Sequence, residues 1–265
     1  MKIHTIAGLP RSGSTLLCNV LNQNPRFWAT TTSPLPTMFT AIGGAASRSI
    51  EYKELINREQ DKYEKLLIDS MKAFVEAWCG GFEKEVVFDK SRAWSSHALS
   101  LGKIFPGTKT IVVVRDLRNV FASVEKQHLK NPILNDRGNH IAERVDGMFS
   151  PQGLIGACIK GVEDLILRNV QSAYFVKYEN LSANPKMTMQ NIYTEIGEPY
   201  YEHDFDNVEC TAEDPDGHYL NKFPHVGAGK IEPSDPDEYK KYIPENMAEN
   251  IMNSFQDFNM YFGYK

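Results

Sequence analysis

The sequence predicts an α/β fold, a single P-loop-type domain over residues 1–265 with a central parallel sheet of about five strands flanked by helices. Three observations carry that expectation. Short β-branched runs alternate with stretches of helical periodicity. The run Ile111-Val112-Val113-Val114 is apolar without alternation, as a parallel strand buried on both faces must be. A glycine-bearing turn, Gly8 to Gly13, lies between the first apolar run and the first helical stretch.

The strands are expected at Ile3–Ala7, Phe27–Thr30, Glu85–Phe88, Thr110–Val114 and Ala173–Lys177. Between the second and third, Tyr63, Leu66, Leu67, Met71, Phe74, Val75 and Trp78 recur at i, i+3, i+4 spacing. That is one apolar stripe of a core-packed helix. Another helix is expected from Asn184-Pro185, with Pro at its first position. A last one is expected from Pro244 toward Phe258. Two segments read as loop excursions. Residues 129–150 follow the fourth βα unit without a clear period, a length often associated with lids or binding-site walls. Residues 198–222 hold eight acidic side chains between Glu198 and Asp216, and Met187–Asn221 contains no Lys or Arg, the composition of a solvated charge run.

Composition narrows the function classes. The chain is 42% hydrophobic and carries a formal net charge of −5, which supports a sizeable core and argues against a nucleic-acid binder. No apolar stretch approaches the roughly 20 residues that span a bilayer. The first strand starts near residue 3, leaving no room for a secretory segment or membrane anchor before it. Cys18, Cys79, Cys158 and Cys210 are dispersed, with no CxxC pair and no His cluster at metal-ligand spacing. A reducing, cytoplasmic location without disulfides or a metal site is therefore expected.

The segment Gly8-Leu9-Pro10-Arg11-Ser12-Gly13-Ser14-Thr15-Leu16-Leu17 follows a strand and opens a helix. Gly8 and Gly13 permit backbone geometry in which consecutive N–H groups converge on an anion, and the helix adds its free N–H groups and dipole. The spacing is that of a P-loop, but Ser14 stands where the NTP-binding Lys belongs, and the cation comes earlier, as Arg11. Farther along, Arg115 ends the fourth strand and Ser123 follows eight residues later in the next helix. A strand's carboxyl end is where open α/β sheets place ligands, and Arg is a bidentate partner for phosphate.

These two elements together resemble the sulfotransferase family. Pro10-Arg11-Ser12-Gly13-Ser14-Thr15-Leu16 is similar to the 5′-phosphosulfate loop of its carbohydrate and tyrosylprotein branches. Val113-Val114-Arg115-Asp116-Leu117-Arg118-Asn119-Val120-Phe121-Ala122-Ser123 is similar to its 3′-phosphate motif. The resemblance implies 3′-phosphoadenosine 5′-phosphosulfate (PAPS) as donor, held by Arg11, Ser12, Gly13, Ser14, Thr15, Arg115 and Ser123. Val176–Pro185 resembles a segment whose Tyr lies by the nucleotide, implicating Tyr178. His225-Val226-Gly227-Ala228-Gly229-Lys230 resembles a late loop over the 3′-phosphoadenosine, implicating Lys230. Val86–Arg92 parallels the strand end that carries a Lys near the transferring group, so Lys90 joins Arg11 as a catalytic candidate. The implied reaction moves a sulfuryl group in line to an acceptor hydroxyl or amine of a small molecule or glycan.

No base position of the family is matched. Ala29–Pro34 lacks the Glu of the tyrosylprotein branch, and Arg92 replaces the His of the cytosolic branch. Asp89 reads as a turn cap, Ser33-Pro34 as the start of a helix, and His97 as structural or exposed. Two alternatives stand beside the sulfotransferase reading. An ATP-dependent small-molecule kinase would need Mg²⁺ carboxylates, for which Asp89 and Asp116 are available. An inactive nucleotide-binding module would use the two excursions to meet a partner.

Overall fold

A computed structural model describes residues 1–130, 140–211 and 227–265. The strands are β1 (Lys2–Gly8), β2 (Phe27–Ala29), β3 (Val86–Lys90), β4 (Thr110–Val114) and β5 (Ala173–Lys177). They pair in parallel in the order β2-β3-β1-β4-β5. The helices are α1 (Ser14–Leu21), α2 (Leu35–Arg48), α3 (Ile50–Arg58), α4 (Gln60–Gly80), α5 (Ala98–Ile104), α6 (Leu117–Lys130) and α7 (Ile141–Phe149). They continue with α8 (Gly156–Leu167), α9 (Tyr178–Ala183), α10 (Pro185–Ile196), α11 (Glu245–Ser254) and α12 (Gln256–Phe262).

The sheet is covered on both faces, which is why its strands are apolar throughout. Ile111 and Val113 turn to α1 and α10, meeting Leu17, Leu21, Ile192 and Tyr193. Val112 and Val114 turn the other way, to Phe121, Ile159, Val162 and Phe258. On that second face, β1 and β3 give Ile3, Ala7 and Val87 to α2, α4 and α5. The α4 stripe buries Met71 and Val75, with Leu67, Phe74 and Trp78 packed beside them. Leu66, counted in that stripe, instead faces solvent at 51% exposure.

Three expectations change. Residues 141–149 are helical, and Ile141, Val145, Met148 and Phe149 pack on the Phe121 cluster, an i, i+4, i+7, i+8 face. Within the acidic stretch, Tyr200, His203, Phe205 and Val208 point inward and pack against Tyr193 and its neighbours. The charges between them face out. The terminal helix is two helices, because Phe255 leaves the helical region (φ −125°) between α11 and α12. Residues 131–139 and 212–226, including His225 and Val226, lie outside the described residues.

Candidate functional site

Parallel register brings the carboxyl ends of β3, β1 and β4 to one edge. Gly8 pairs with Val113, so the turn after β1 and the Arg115 turn after β4 leave the sheet side by side. The chain departs from β1 toward β2 on one flank and from β4 toward β5 on the other. The gap between them is a switch point of the kind that forms a binding crevice.

The turn after β1 is shaped by its glycines. At Gly8 (φ +120°) a Cβ would lie 2.0 Å from the Val113 carbonyl oxygen, so only glycine lets β1 run this close to β4. At Gly13 (φ +85°) a Cβ would lie 2.3 Å from Cδ2 of Tyr178. Arg11, between them, is itself left-handed (φ 56°), which is unusual for a side-chain-bearing residue. The Ser12 hydroxyl is buried and donates to the Leu9 carbonyl at 2.7 Å, closing the turn from within. Gly13 caps α1, and Ser14 and Thr15 form its first turn, facing the cleft.

Arg11 and Arg115 join the two motif segments by contacts that the sequence did not predict. Arg11 Nε donates to Ser123 Oγ at 3.2 Å, which joins the first motif to the second. Arg115 NH1 donates to the Arg11 carbonyl at 3.3 Å, and its guanidinium lies 4.6 Å from the centroid of the Tyr178 ring. Tyr178 therefore touches both Gly13 and Arg115. Among the described residues, Nε of Arg115 is buried without a hydrogen-bond partner. A buried polar atom left unpaired is uncommon in a folded protein.

Lys90 is 7% exposed at the end of β3. Its backbone N–H donates to Thr30 Oγ1 at 2.8 Å and its ammonium to the Thr31 carbonyl at 2.6 Å. Lys230 stands at the rim, with its ammonium 3.0 Å from the exposed Asp206 carboxylate. Arg11, Gly13, Ser14, Thr15, Lys90, Arg115, Ser123, Tyr178 and Lys230 line one cleft of about 1680 Å³, bounded on the far side by α6 and α7. Ser12 serves the same turn from beneath.

Several residues that hold this arrangement escaped the sequence reading. Glu238 places one carboxylate oxygen 3.5 Å from Arg115 and the other 2.9 Å from Lys126. The chain carrying it is held on α6 by Asn119, which donates to the Pro236 carbonyl at 2.9 Å and accepts from Tyr239 N–H at 3.0 Å. Glu179 accepts from the Asp116 N–H at 3.0 Å and from the Tyr264 hydroxyl at 3.0 Å, orienting the turn after β4. Asn19 donates to the Gly227 carbonyl at 2.8 Å, and a Cβ on Gly227 (φ +48°) would press on the backbone of Leu16 at 2.9 Å. These contacts join residues far apart in sequence, so no local pattern marks them.

The carboxylates offered for Mg²⁺ are engaged elsewhere. Asp116 is clamped by Arg118 through contacts of 2.6–3.2 Å. Asp89 caps no turn. It is fully buried, accepts from Trp94 Nε1 at 2.6 Å, and burial pushes its carboxyl up to about 6. His97 shares a 2.9 Å hydrogen bond with Thr40 and packs on Phe39 and Trp94, and burial lowers its pKa. Ser33 Oγ accepts from Leu35 N–H at 3.1 Å, the helix-start role expected of it.

A doubly covered parallel sheet with a left-handed glycine turn and paired arginines at its switch point defines an α/β protein with a crevice at the carboxyl ends of its strands. The family model described as the sulfotransferase family matches residues 5–202, and the chain belongs to that family. A comparison with curated proteins found no match. Among solved structures, the sulfotransferase domain of the Synechococcus PCC 7002 olefin synthase is 18% identical, with a TM-score of 0.54 over 95% of this chain and 94% of that one. A retinol dehydratase in complex with retinol and PAP (3′-phosphoadenosine 5′-phosphate) is 16% identical, with a TM-score of 0.54 over 98% and 82%. Mouse sulfotransferase SULT7A1 complexed with PAP is 12% identical, with a TM-score of 0.55 over 97% and 84%. At these identities the likeness is one of fold. Among the described residues no helix is long and apolar enough to cross a membrane.

Proposed function

We propose that the protein transfers a sulfuryl group from PAPS to an acceptor hydroxyl or amine by in-line displacement. The observation that carries this reading is the Arg11–Ser123 hydrogen bond together with the Arg115–Arg11 carbonyl contact. It joins the two motif elements at one cleft, which Arg115 lines. When bound, PAPS would supply an activated sulfuryl group. The turn Arg11–Thr15 and the α1 N-terminus would hold its 5′ end, and Arg115 and Ser123 its 3′-phosphate. Tyr178 would position the nucleotide, and Lys230 would release Asp206 to reach it. Arg11 and Lys90 would oppose the negative charge that builds on the oxygens around sulfur, where one such donor typically contributes on the order of 10²- to 10³-fold in rate.

The acceptor is a small molecule or a glycan, taken on the side of the cleft formed by Thr32, Ser33, Pro34, Thr37 and Arg92. A reducing, cytoplasmic location goes with this reading. The test is incubation with ³⁵S-labelled PAPS and a library of hydroxyl- and amine-bearing metabolites and oligosaccharides. Labelled product formed without Mg²⁺ supports the proposal. Phosphate transfer from ATP–Mg²⁺, with none of label from PAPS, would refute it and leave a kinase.

A further inference from the structure

Arg115 is placed more by its surroundings than by its own hydrogen bonds. Among the described residues its guanidinium donates one, to the Arg11 carbonyl at 3.3 Å, while Nε has no partner. The Tyr178 ring lies across the guanidinium, 4.6 Å from it, and the Glu238 carboxylate is 3.5 Å away. The direction of Arg115 therefore depends on two pieces of backbone. One is the Arg115–Asp116 turn that leaves β4, and the other is the start of α9, which carries Tyr178.

Glu179 ties these two pieces together. It follows Tyr178 on α9, its Oε1 accepts the Asp116 N–H at 3.0 Å, and its Oε2 accepts the Tyr264 hydroxyl at 3.0 Å. A carboxylate engaged through both oxygens is held in one rotamer, whereas one engaged through a single oxygen regains freedom. Tyr264 is itself aimed by local structure. The left-handed Gly263 (φ +70°) ends α12, and the N–H groups of Gly263 and Tyr264 close on the Met260 and Asn259 carbonyls at 3.2 and 2.9 Å, a Schellman turn. Lys177 holds the same turn: its ammonium donates to the Phe262 carbonyl at 2.7 Å and lies 4.4 Å from the centroid of the Tyr264 ring. Arg118, which clamps the Asp116 carboxylate, donates to the Lys265 carbonyl at 2.7 Å. Residues 262–265 thus reach the end of β5, the start of α9 and the start of α6, the three elements around Arg115. The Tyr264 ring packs beside Phe258 and Phe262, which a Phe would also do. Its hydroxyl adds the bond to Glu179. Burial and that carboxylate raise the phenol's pKa, so the hydroxyl remains a donor at neutral pH.

We propose that Tyr264 and Glu179 are a positioning pair for the donor's 3′-phosphate, an inference that deepens the sulfotransferase reading and rests on it. Neither residue lines the cleft. They act through Arg115 and Tyr178: the Tyr264 hydroxyl fixes the Glu179 carboxylate, which fixes the Asp116 N–H and, through the chain, the Tyr178 ring. Without the hydroxyl, Glu179 keeps the Asp116 contact alone, and the guanidinium and ring spread over more arrangements than the one that receives phosphate. The loss falls on the 3′-phosphate, because the 5′ end is held by the turn Arg11–Thr15, whose shape is set by Gly8, Gly13 and the Ser12 hydroxyl.

The experiment is calorimetric titration with PAP and with adenosine 5′-monophosphate, which is PAP without its 3′-phosphate. It compares wild type, Tyr264→Phe, Glu179→Gln, Arg115→Ala and the double variant Tyr264→Phe/Arg115→Ala, each checked for folding by its melting curve. Glu179→Gln keeps the shape but has one acceptor oxygen for two donors. The pair predicts PAP binding weakened about 5- to 10-fold in Tyr264→Phe, the scale of one net hydrogen bond, and at least as much in Glu179→Gln. Affinity for the monophosphate should stay within about twofold of wild type in both, on the same scale. With Arg115 already replaced, Tyr264→Phe should weaken PAP less than about twofold further, because the group it positions is gone. A role in packing alone would weaken both ligands alike. Unchanged PAP affinity in Tyr264→Phe, equal losses for the two ligands, or the same loss with and without Arg115 would overturn the proposal. Should Tyr264→Phe fail to fold, the split between the two ligands in Glu179→Gln decides by the same criterion. A wild type that does not bind PAP, or binds it no more tightly than the monophosphate, would instead remove the sulfotransferase reading, and the pair's role with it.

Discussion

Replacing Asp89 by Asn should stabilise the protein, and more so as pH rises. In the folded chain the Asp89 carboxyl is shifted from 3.8 to about 6, because burial outweighs the hydrogen bond from Trp94. A shift of about two pH units corresponds to ~3 kcal/mol. Its sign follows from proton counting. Between pH 3.8 and 6 the folded state holds a proton that the unfolded chain has lost, so stability falls as pH rises and the full cost is reached above pH 6. Asn keeps an acceptor for Trp94 and carries no charge. The stability of Asp89→Asn relative to wild type should therefore improve by about 2 kcal/mol between pH 4.5 and 7.5. Urea unfolding followed by Trp fluorescence at several pH values measures this. Other titrating groups contribute equally to both proteins and cancel in the difference. Two curves that stay parallel over that range would refute the assignment of a raised, buried carboxyl.

Other perturbations test neighbouring parts of the account. Gly13→Ala adds a Cβ at a left-handed residue and presses it on Tyr178. The strain alone is about 1–2 kcal/mol, and calorimetry should show PAP affinity falling about tenfold or more. Glu238→Gln removes the carboxylate that pairs with Arg115 and Lys126, and PAP affinity should rise about 3- to 10-fold, most clearly at low salt. Unchanged affinity would mean that the pair does not compete with ligand. His4 and His203 are both lowered to about 4, chiefly by burial. The unfolded chain takes up their protons below pH 6.5, so each should cost about 2 kcal/mol of stability by pH 5. Urea midpoints that do not fall between pH 7.5 and 5 would contradict this.

The strands were legible because a sheet covered on both faces demands unbroken apolar runs, and Ile111–Val114 buries every side chain. The cleft was legible in Arg11, Gly13, Arg115 and Ser123, whose spacing follows from where β1 and β4 end. What it conceals is long-range. Glu238 reaches Arg115 across 123 residues of chain, through a segment docked on Asn119. Thr30 and Thr31 hold Lys90 because β2 and β3 are neighbours, an adjacency that strand order decides and sequence order does not. The 198–211 stretch misled because its acidic residues dominate the composition. Tyr200, His203, Phe205 and Val208, interleaved among them, decide its packing. The face of α7 was readable at 141, 145, 148 and 149, but it lies next to a segment without period.

The central claim is that Arg115 and the turn after β1 form one site for a nucleotide 3′,5′-bisphosphate. Calorimetric titration of wild type and Arg115→Ala with PAP, against ATP–Mg²⁺, tests it most directly. The account predicts tight PAP binding by wild type, no comparable binding of ATP–Mg²⁺, and at least tenfold weaker PAP binding by the variant, since a charge-assisted contact contributes about 1.5–3 kcal/mol. PAP binding that is absent in wild type, or equal in the two proteins, would contradict it.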